Sequence, residues 1–105
     1  MDTSILPKQP QKDCSLELEK ALKNSKILSS VFILLLQNRS VDITELSRYL
    51  SKSRAQMYLL CQRLMDMGIA GKVEKKSKFY LKKDIYSDEC IATLKQDALL
   101  VINSE

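Results

Sequence analysis

Apolar residues recur at helical spacing along most of the chain and alternate in one short stretch. Leu16, Leu18, Ala21 and Leu22 follow Ser15, which can cap a helix there. Asn24-Ser25 either breaks that helix or is passed through. The helical pattern resumes at Lys26 and runs to about Gln37 on Ile27, Leu28, Val31, Leu34 and Leu35. Phe32, Ile33 and Leu36 make this segment apolar nearly all round, so it needs cover on more than one side. After a turn at Asn38-Arg39-Ser40, Val41-Asp42-Ile43 predicts a very short strand. Thr44 then caps a short helix with Leu46 and Leu50 inward and Glu45 in its first turn. Ser51-Lys52 is a tight turn. Ser53 caps a helix that runs to about Met67 and stops at Gly68, with Met57, Cys61 and Leu64 inward and Leu60 at the margin. The period then changes. Ile69, Gly71, Val73 and Lys75 alternate with Ala70, Lys72 and Glu74; Lys76-Ser77-Lys78 predicts a turn, and Phe79-Tyr80-Leu81-Lys82 a return strand. Ser87 caps a last helix, with Asp88 and Glu89 in its first turn and Ile91, Leu94, Ala98, Val101 and Ile102 as its stripe.

These elements divide the 105 residues into a flexible tail (1–14, with both prolines), one domain (15–83) and a C-terminal helix (84–105). So short a chain buries a modest core, and a flanking helix or a second subunit would help stabilise it. The run Val31–Leu36 is too short to span a membrane, and no stretch reads as a signal peptide, so a cytoplasmic protein is expected.

The net charge of +4 says little by itself, but its distribution says more. Residues 69–83 carry six Lys and one Glu, a net +5, whereas residues 84–105 carry one Lys and five acids, a net −4. The three cysteines, Cys14, Cys61 and Cys90, form an odd and dispersed set with no C-x-x-C, which predicts a reducing compartment without a disulfide framework. Cys61 is expected in the core. Nothing beside Cys14 or Cys90 is placed to activate a thiol. The chain has no His, which excludes the common zinc sites and His-based acid–base catalysis. With no paired nucleophile and base and no Gly-rich phosphate loop, no enzyme is predicted, and no cofactor or metal is implied. No feature marks a small-molecule effector site.

The order helix, short strand, short helix, tight turn, helix, basic hairpin resembles the winged helix-turn-helix family over residues 26–83. The most specific part is Leu50-Ser51-Lys52-Ser53-Arg54-Ala55-Gln56-Met57-Tyr58, continued by Cys61, Leu64 and Gly68-Ile69. It is similar to the recognition helix of MarR- and ArsR-type transcription regulators, although Cys61 stands where Leu is usual and Ala70-Gly71 opens the second strand weakly. The resemblance implies a mainly α fold with a small β-hairpin wing and extra N- and C-terminal helices. It also implies a regulator that binds double-stranded DNA.

The candidate site follows from the same pattern. With Met57, Cys61 and Leu64 inward, the helix turns Ser53, Arg54, Ala55, Gln56, Tyr58, Leu59, Gln62 and Arg63 outward. Arg can read guanine and Gln adenine through paired hydrogen bonds in the major groove, and free amides at the helix start can hold a phosphate. Lys72, Lys75, Lys76 and Lys78 of the hairpin are expected on the backbone or in the minor groove. The surplus apolar surface predicts a homodimer through Ile91, Leu94, Ala98, Val101 and Ile102. The alternative function is a module of the same fold that binds protein and not DNA.

Overall fold

The computed structural model describes residues 14–104. Of the expected flexible tail (1–14), residues 1–13 lie outside the described residues, and Cys14 is instead held in place by a bond to Cys90. The described residues are mainly helical, 66% of them, with a small three-stranded antiparallel sheet, a layout compatible with a winged-helix arrangement. Helix α1 (Leu16–Lys23) leads through Asn24-Ser25 into α2 (Lys26–Gln37). Strand β1 (Val41–Asp42) passes directly into α3 (Ile43–Leu50), and a short turn leads to α4 (Arg54–Asp66). The hairpin strands β2 (Ala70–Lys72) and β3 (Lys78–Leu81) follow, then a 3-10 turn (Lys83–Ile85) and α5 (Asp88–Asn103).

Each α-helix begins where a short polar side chain offers an acceptor to an amide that has no partner in its own helix. Ser15, Ser25, Ser53 and Ser87 accept from the amides of Leu18, Leu28, Gln56 and Cys90, each at 3.1 Å. Such a cap is worth roughly 1 kcal/mol. The expected cap at Thr44 is displaced by two residues. Asp42 caps α3 instead, accepting from the Thr44 amide at 2.8 Å, while Glu45 accepts from the Asp42 amide at 3.1 Å. The two carboxylates form a reciprocal capping box, which outcompetes a lone Thr hydroxyl.

Helix ends are set as firmly. Gly68, at φ 83°, follows α4; its amide donates to the Met65 carbonyl at 2.9 Å and the Ile69 amide to the Leu64 carbonyl at 3.1 Å. This pair of bonds is a Schellman motif, and the accompanying apolar contact is supplied by Leu64 and Ile69, both fully buried. Ser51, at φ 54°, closes α3 in the same left-handed region without being glycine.

The sheet has the order β1-β3-β2, with Val41 and Lys72 both opposite Phe79 and Ala70 opposite Leu81. Opposed residues share a face, so Val41, Ala70, Phe79 and Leu81 form the inner face. Gly71 lies opposite Tyr80 on the outer face, where the Tyr80 ring occupies the space a Cβ would need. β2 stops at Lys72, short of the alternation seen in sequence, because the Lys76 amide turns back to the Val73 carbonyl at 3.1 Å.

Helix α2 is the hub. It packs against α1, α3, α4, α5 and β3, and buries Leu28, Val31, Phe32 and Leu35 completely. The cover expected on more than one side of this apolar girdle comes largely from its own chain, with Ile27, Leu34 and Leu36 left half-buried. α5 lies against α1 and α2 and buries Cys90, Leu94 and Ala98 there. Leu94 and Ala98, expected at a dimer interface, are fully enclosed by their own chain; Ile91, Val101 and Ile102 are half-buried. Leu16, expected inward on α1, is 66% exposed, and Leu18 and Leu22 carry that contact.

The cysteines depart from expectation too. Cys14 and Cys90 are joined by a disulfide across a sequence separation of 76, tying the start of α1 to the first turn of α5. Cys61 is free and enclosed in the core. The spacing of the cysteines gave no sign of this pairing, because the two segments meet only through the packing of α1 on α5. Among the described residues no helix is long and apolar enough to cross a membrane.

Candidate nucleic-acid interface

The turn between α3 and α4 fixes how α4 is presented. Ser51 reverses the chain, the Lys52 amide donates to the Ser47 carbonyl at 3.1 Å, and the Ser47 hydroxyl donates to the Lys52 carbonyl. Ser53 then starts α4 with its oxygen on the Gln56 amide, which leaves the amides of Arg54 and Ala55 without a helical acceptor.

Along α4, Met57, Leu60, Cys61 and Leu64 are buried, anchoring one side in the core. Ser53, Arg54, Ala55, Gln56, Tyr58, Leu59 and Arg63 are exposed, so the expected outward face forms one surface. Gln62 departs from it. Half-buried, it donates from Nε2 to Asp66 Oδ1 at 3.1 Å and is occupied within its own helix. Tyr58 is shared between roles: its ring meets Phe79 edge-on, centroids 5.8 Å apart, yet 43% of the residue stays accessible.

That ring contact locates the hairpin relative to α4. Phe79 lies on the inner face of the sheet, and Lys72, directly opposite it, leaves β2 on the same face. Tyr58 and Lys72 thus share Phe79 as a neighbour, and β2 packs against α4. Lys75 and Lys76 are exposed in the turn, Lys75 at φ 62°. Lys78, expected at the tip, instead opens β3. It is half-buried and sits opposite Asp42 on the other face of the sheet, away from Lys72. The hairpin thus divides its lysines: Lys72, Lys75 and Lys76 are free to meet a polyanion, and Lys78 is turned away.

Burial holds the Cys61 thiol protonated, its pKa pushed up to about 12, which marks it as a packing residue and not a nucleophile. Sequence reasoning passed over the outer face of α3. There Glu45, Arg48 and Tyr49 line a shallow cavity of about 310 Å³, and Tyr49 is 71% exposed. The signal was present, since these positions complement the inward Leu46 and Leu50 on the helical period.

No protein-family model, curated protein or solved structure matches the chain.

Proposed function

We propose that the chain is a winged helix-turn-helix protein that binds double-stranded DNA sequence-specifically and regulates transcription. α4 enters the major groove, and the β2–β3 hairpin lies on the adjacent backbone or minor groove. The observation that carries this reading is the joined surface of α4 and the hairpin. Arg54, Gln56 and Tyr58 stand on the exposed N-terminal half of a helix whose opposite side is locked in the core, β2 packs against that helix, and Tyr58 and the exposed Lys72 both neighbour Phe79. A helix of this width fits the major groove, and the side chains nearest its N-terminus reach base edges. The exposed Lys72, Lys75 and Lys76 supply affinity through phosphates, which carry no sequence information. Arg48 and Lys52 bring two more exposed cations to α3 and to the turn before α4.

Two copies pair on the DNA site, the oxidised chain standing alone in free solution. With Leu94 and Ala98 enclosed, the contact uses Leu99 and Leu100, 37% and 64% exposed, with the half-buried Ile91, Val101 and Ile102. Two-fold pairing then presents two α4 helices to a palindromic site.

One observation favours a second reading, a protein-binding module: Leu59, in the middle of the α4 face, is 65% exposed and apolar. Titration against random duplex DNA at two salt concentrations separates them. A DNA binder loses affinity steeply as salt rises, whereas binding that ignores salt overturns the proposal. Once a specific duplex is selected, Arg54→Ala and Gln56→Ala should each weaken it by about 1–3 kcal/mol with little change on random DNA. Equal losses on both would remove these residues as readers.

A further inference from the structure

The junction between α1 and α2 has the form of a hinge. Asn24 is already in the right-handed helical region (φ −95°, ψ −1°), and Ser25 is extended (φ −143°, ψ 109°). Rotation of Ser25 alone into helical geometry would fuse α1 and α2 into one helix from Leu16 to Gln37. No Gly or Pro stands anywhere in that span.

The backbone bonds of the bent form have ready replacements. Bent, the Leu22 carbonyl accepts from the Ser29 hydroxyl at 2.6 Å, and the Leu28 amide is capped by Ser25. Straight, the same carbonyl would accept from the Lys26 amide, and the Leu28 amide would donate to the Asn24 carbonyl, by ordinary helix geometry. The apolar contact has no such local replacement. Leu18 and Leu22, 1% and 0% exposed, lose their cover if α1 swings away from α5. An identical α5 on another copy restores it.

The disulfide decides which form exists. Cys14 precedes α1, and its Cα is held 5.1 Å from that of Cys90, so α1 cannot leave its own α5 while the bond is intact. Cys14 is half-buried, and the disulfide borders a cleft of about 170 Å³ also lined by Glu19, Ser87, Glu89 and Thr93, through which a small thiol can reach the sulfurs. The third cysteine takes no part, being enclosed in the core.

We propose that the Cys14–Cys90 disulfide is a redox latch on the α1–α2 hinge, and that opening it lets α1 exchange onto α5 of a second copy of the chain, giving a swapped dimer. In the opening step two equivalents of a low-molecular-weight thiol, or one dithiol, attack the sulfur–sulfur bond. That bond breaks, two electrons and two protons pass to Cys14 and Cys90 as thiols, and the reductant leaves as its disulfide. Exchange of an identical element needs no new interface, and a short hinge favours it. The inference holds whether or not α4 binds DNA.

The test measures the mass of the full chain in solution, from low micromolar to millimolar, with and without dithiothreitol. The oxidised chain should stay at 12.0 kDa, and the reduced chain should double in mass as concentration rises. Reoxidising that dimer with a small-molecule disulfide should give a covalent dimer on a non-reducing gel, joined from Cys14 of one copy to Cys90 of the other. Lys26→Pro isolates the hinge. Proline suits the first position of α2, and the extended Ser25 suits the residue before it, so the bent form is kept, while a continuous helix is blocked. The reduced Lys26→Pro chain should remain monomeric. Cys14→Ser should dimerise without any reductant and give no covalent product. A reduced wild-type chain that stays monomeric overturns the proposal. So does a Lys26→Pro chain that dimerises as well as wild type, a reoxidised dimer that returns only intrachain bonds, or a monomeric Cys14→Ser chain.

Discussion

Replacing Cys14 with Ala at low micromolar concentration, where each chain stands alone, should cost more stability than any single core substitution by a similar residue. The bond spans 76 residues. Closing a loop of that length removes conformational entropy from the unfolded chain equivalent to about 4.5 kcal/mol at room temperature, on the chain-entropy account. Measured disulfide effects fall at or below such values, because the cross-linked unfolded state is also solvated differently, so a loss of about 3–4.5 kcal/mol is expected. In a domain of this size 1 kcal/mol moves the melting temperature by roughly 4–8 °C, which places the drop on the order of 15–25 °C. The loss should not be uniform. α1 holds to the rest of the fold through Leu18 and Leu22 and this one covalent bond, so its amides should lose exchange protection first, while those of α4 keep theirs until global unfolding. Urea titration of wild type and Cys14→Ala gives the free energy. A thiol count on the denatured, unreduced wild type gives the premise: one titratable thiol, from Cys61. A count of three, or a stability difference under about 1 kcal/mol, would refute the reasoning.

Neutralising Lys75 and Lys76 together should flatten the salt dependence of DNA binding by about two units, one for each phosphate contact, whereas Lys78→Ala should change it far less because Lys78 is half-buried on the other face of the sheet; equal effects from all three would mean the hairpin meets DNA on its other face. Gly68→Ala should destabilise by about 1–2 kcal/mol through left-handed strain alone, since a Cβ there meets only Tyr86 Oη at 3.5 Å; a neutral substitution in a melting experiment would show the α4 stop to be adaptable. Cys61 sets an alkaline limit. The folded chain keeps this thiol protonated up to about 12, while the unfolded chain releases the proton near 9. Stability is therefore full below about pH 9 and falls as pH rises toward the folded value, by up to about 1.4 kcal/mol per pH unit. Cys61→Ala should remove that slope, and an unchanged slope in urea melts between pH 8.5 and 10.5 would assign it to the tyrosines and lysines (roughly the range over which those groups also titrate).

What could be read from sequence was what local chemistry decides. Ser15, Ser53 and Ser87 cap as expected because a hydroxyl two or three residues before an apolar stripe has one good use. The bounds of α2 and the stop at Gly68 were legible for the same reason. Where two local signals competed, the stronger won: the Asp42–Glu45 pair displaced Thr44, and a turn closed at Val73–Lys76 cut β2 short and moved Lys78 from the tip into a strand. The outward face of α4 followed from the helical period, but its relation to the hairpin did not. It depends on the register that sets Lys72 opposite Phe79, which no periodicity reports. The disulfide and the covering of Leu94 and Ala98 were invisible for a further reason. An apolar stripe states that it will be buried, not which segment will bury it.

That last distinction bears on how the two ends of the molecule relate. α2 stands between them, in contact with α1 and α5 on one side and with α3, α4 and β3 on the other. The α4–hairpin end exposes Arg54, Arg63, Lys72, Lys75 and Lys76 and is fixed by hydrogen bonds: the Schellman motif at Gly68 and the Tyr86 hydroxyl, which donates to the Gly68 carbonyl at 3.0 Å. The α1–α5 end has Glu19 and Glu89 beside the disulfide and is fixed by a covalent bond that chemistry can open. Loosening the second end leaves every bond at Gly68 in place. On the two proposals together, a change at the disulfide would alter how copies of the chain associate before it altered the face proposed to meet DNA. In such a dimer the separation of the two α4 helices would change while each kept its own contacts, so the effect on DNA binding should depend on the spacing of half-sites and not on their sequence.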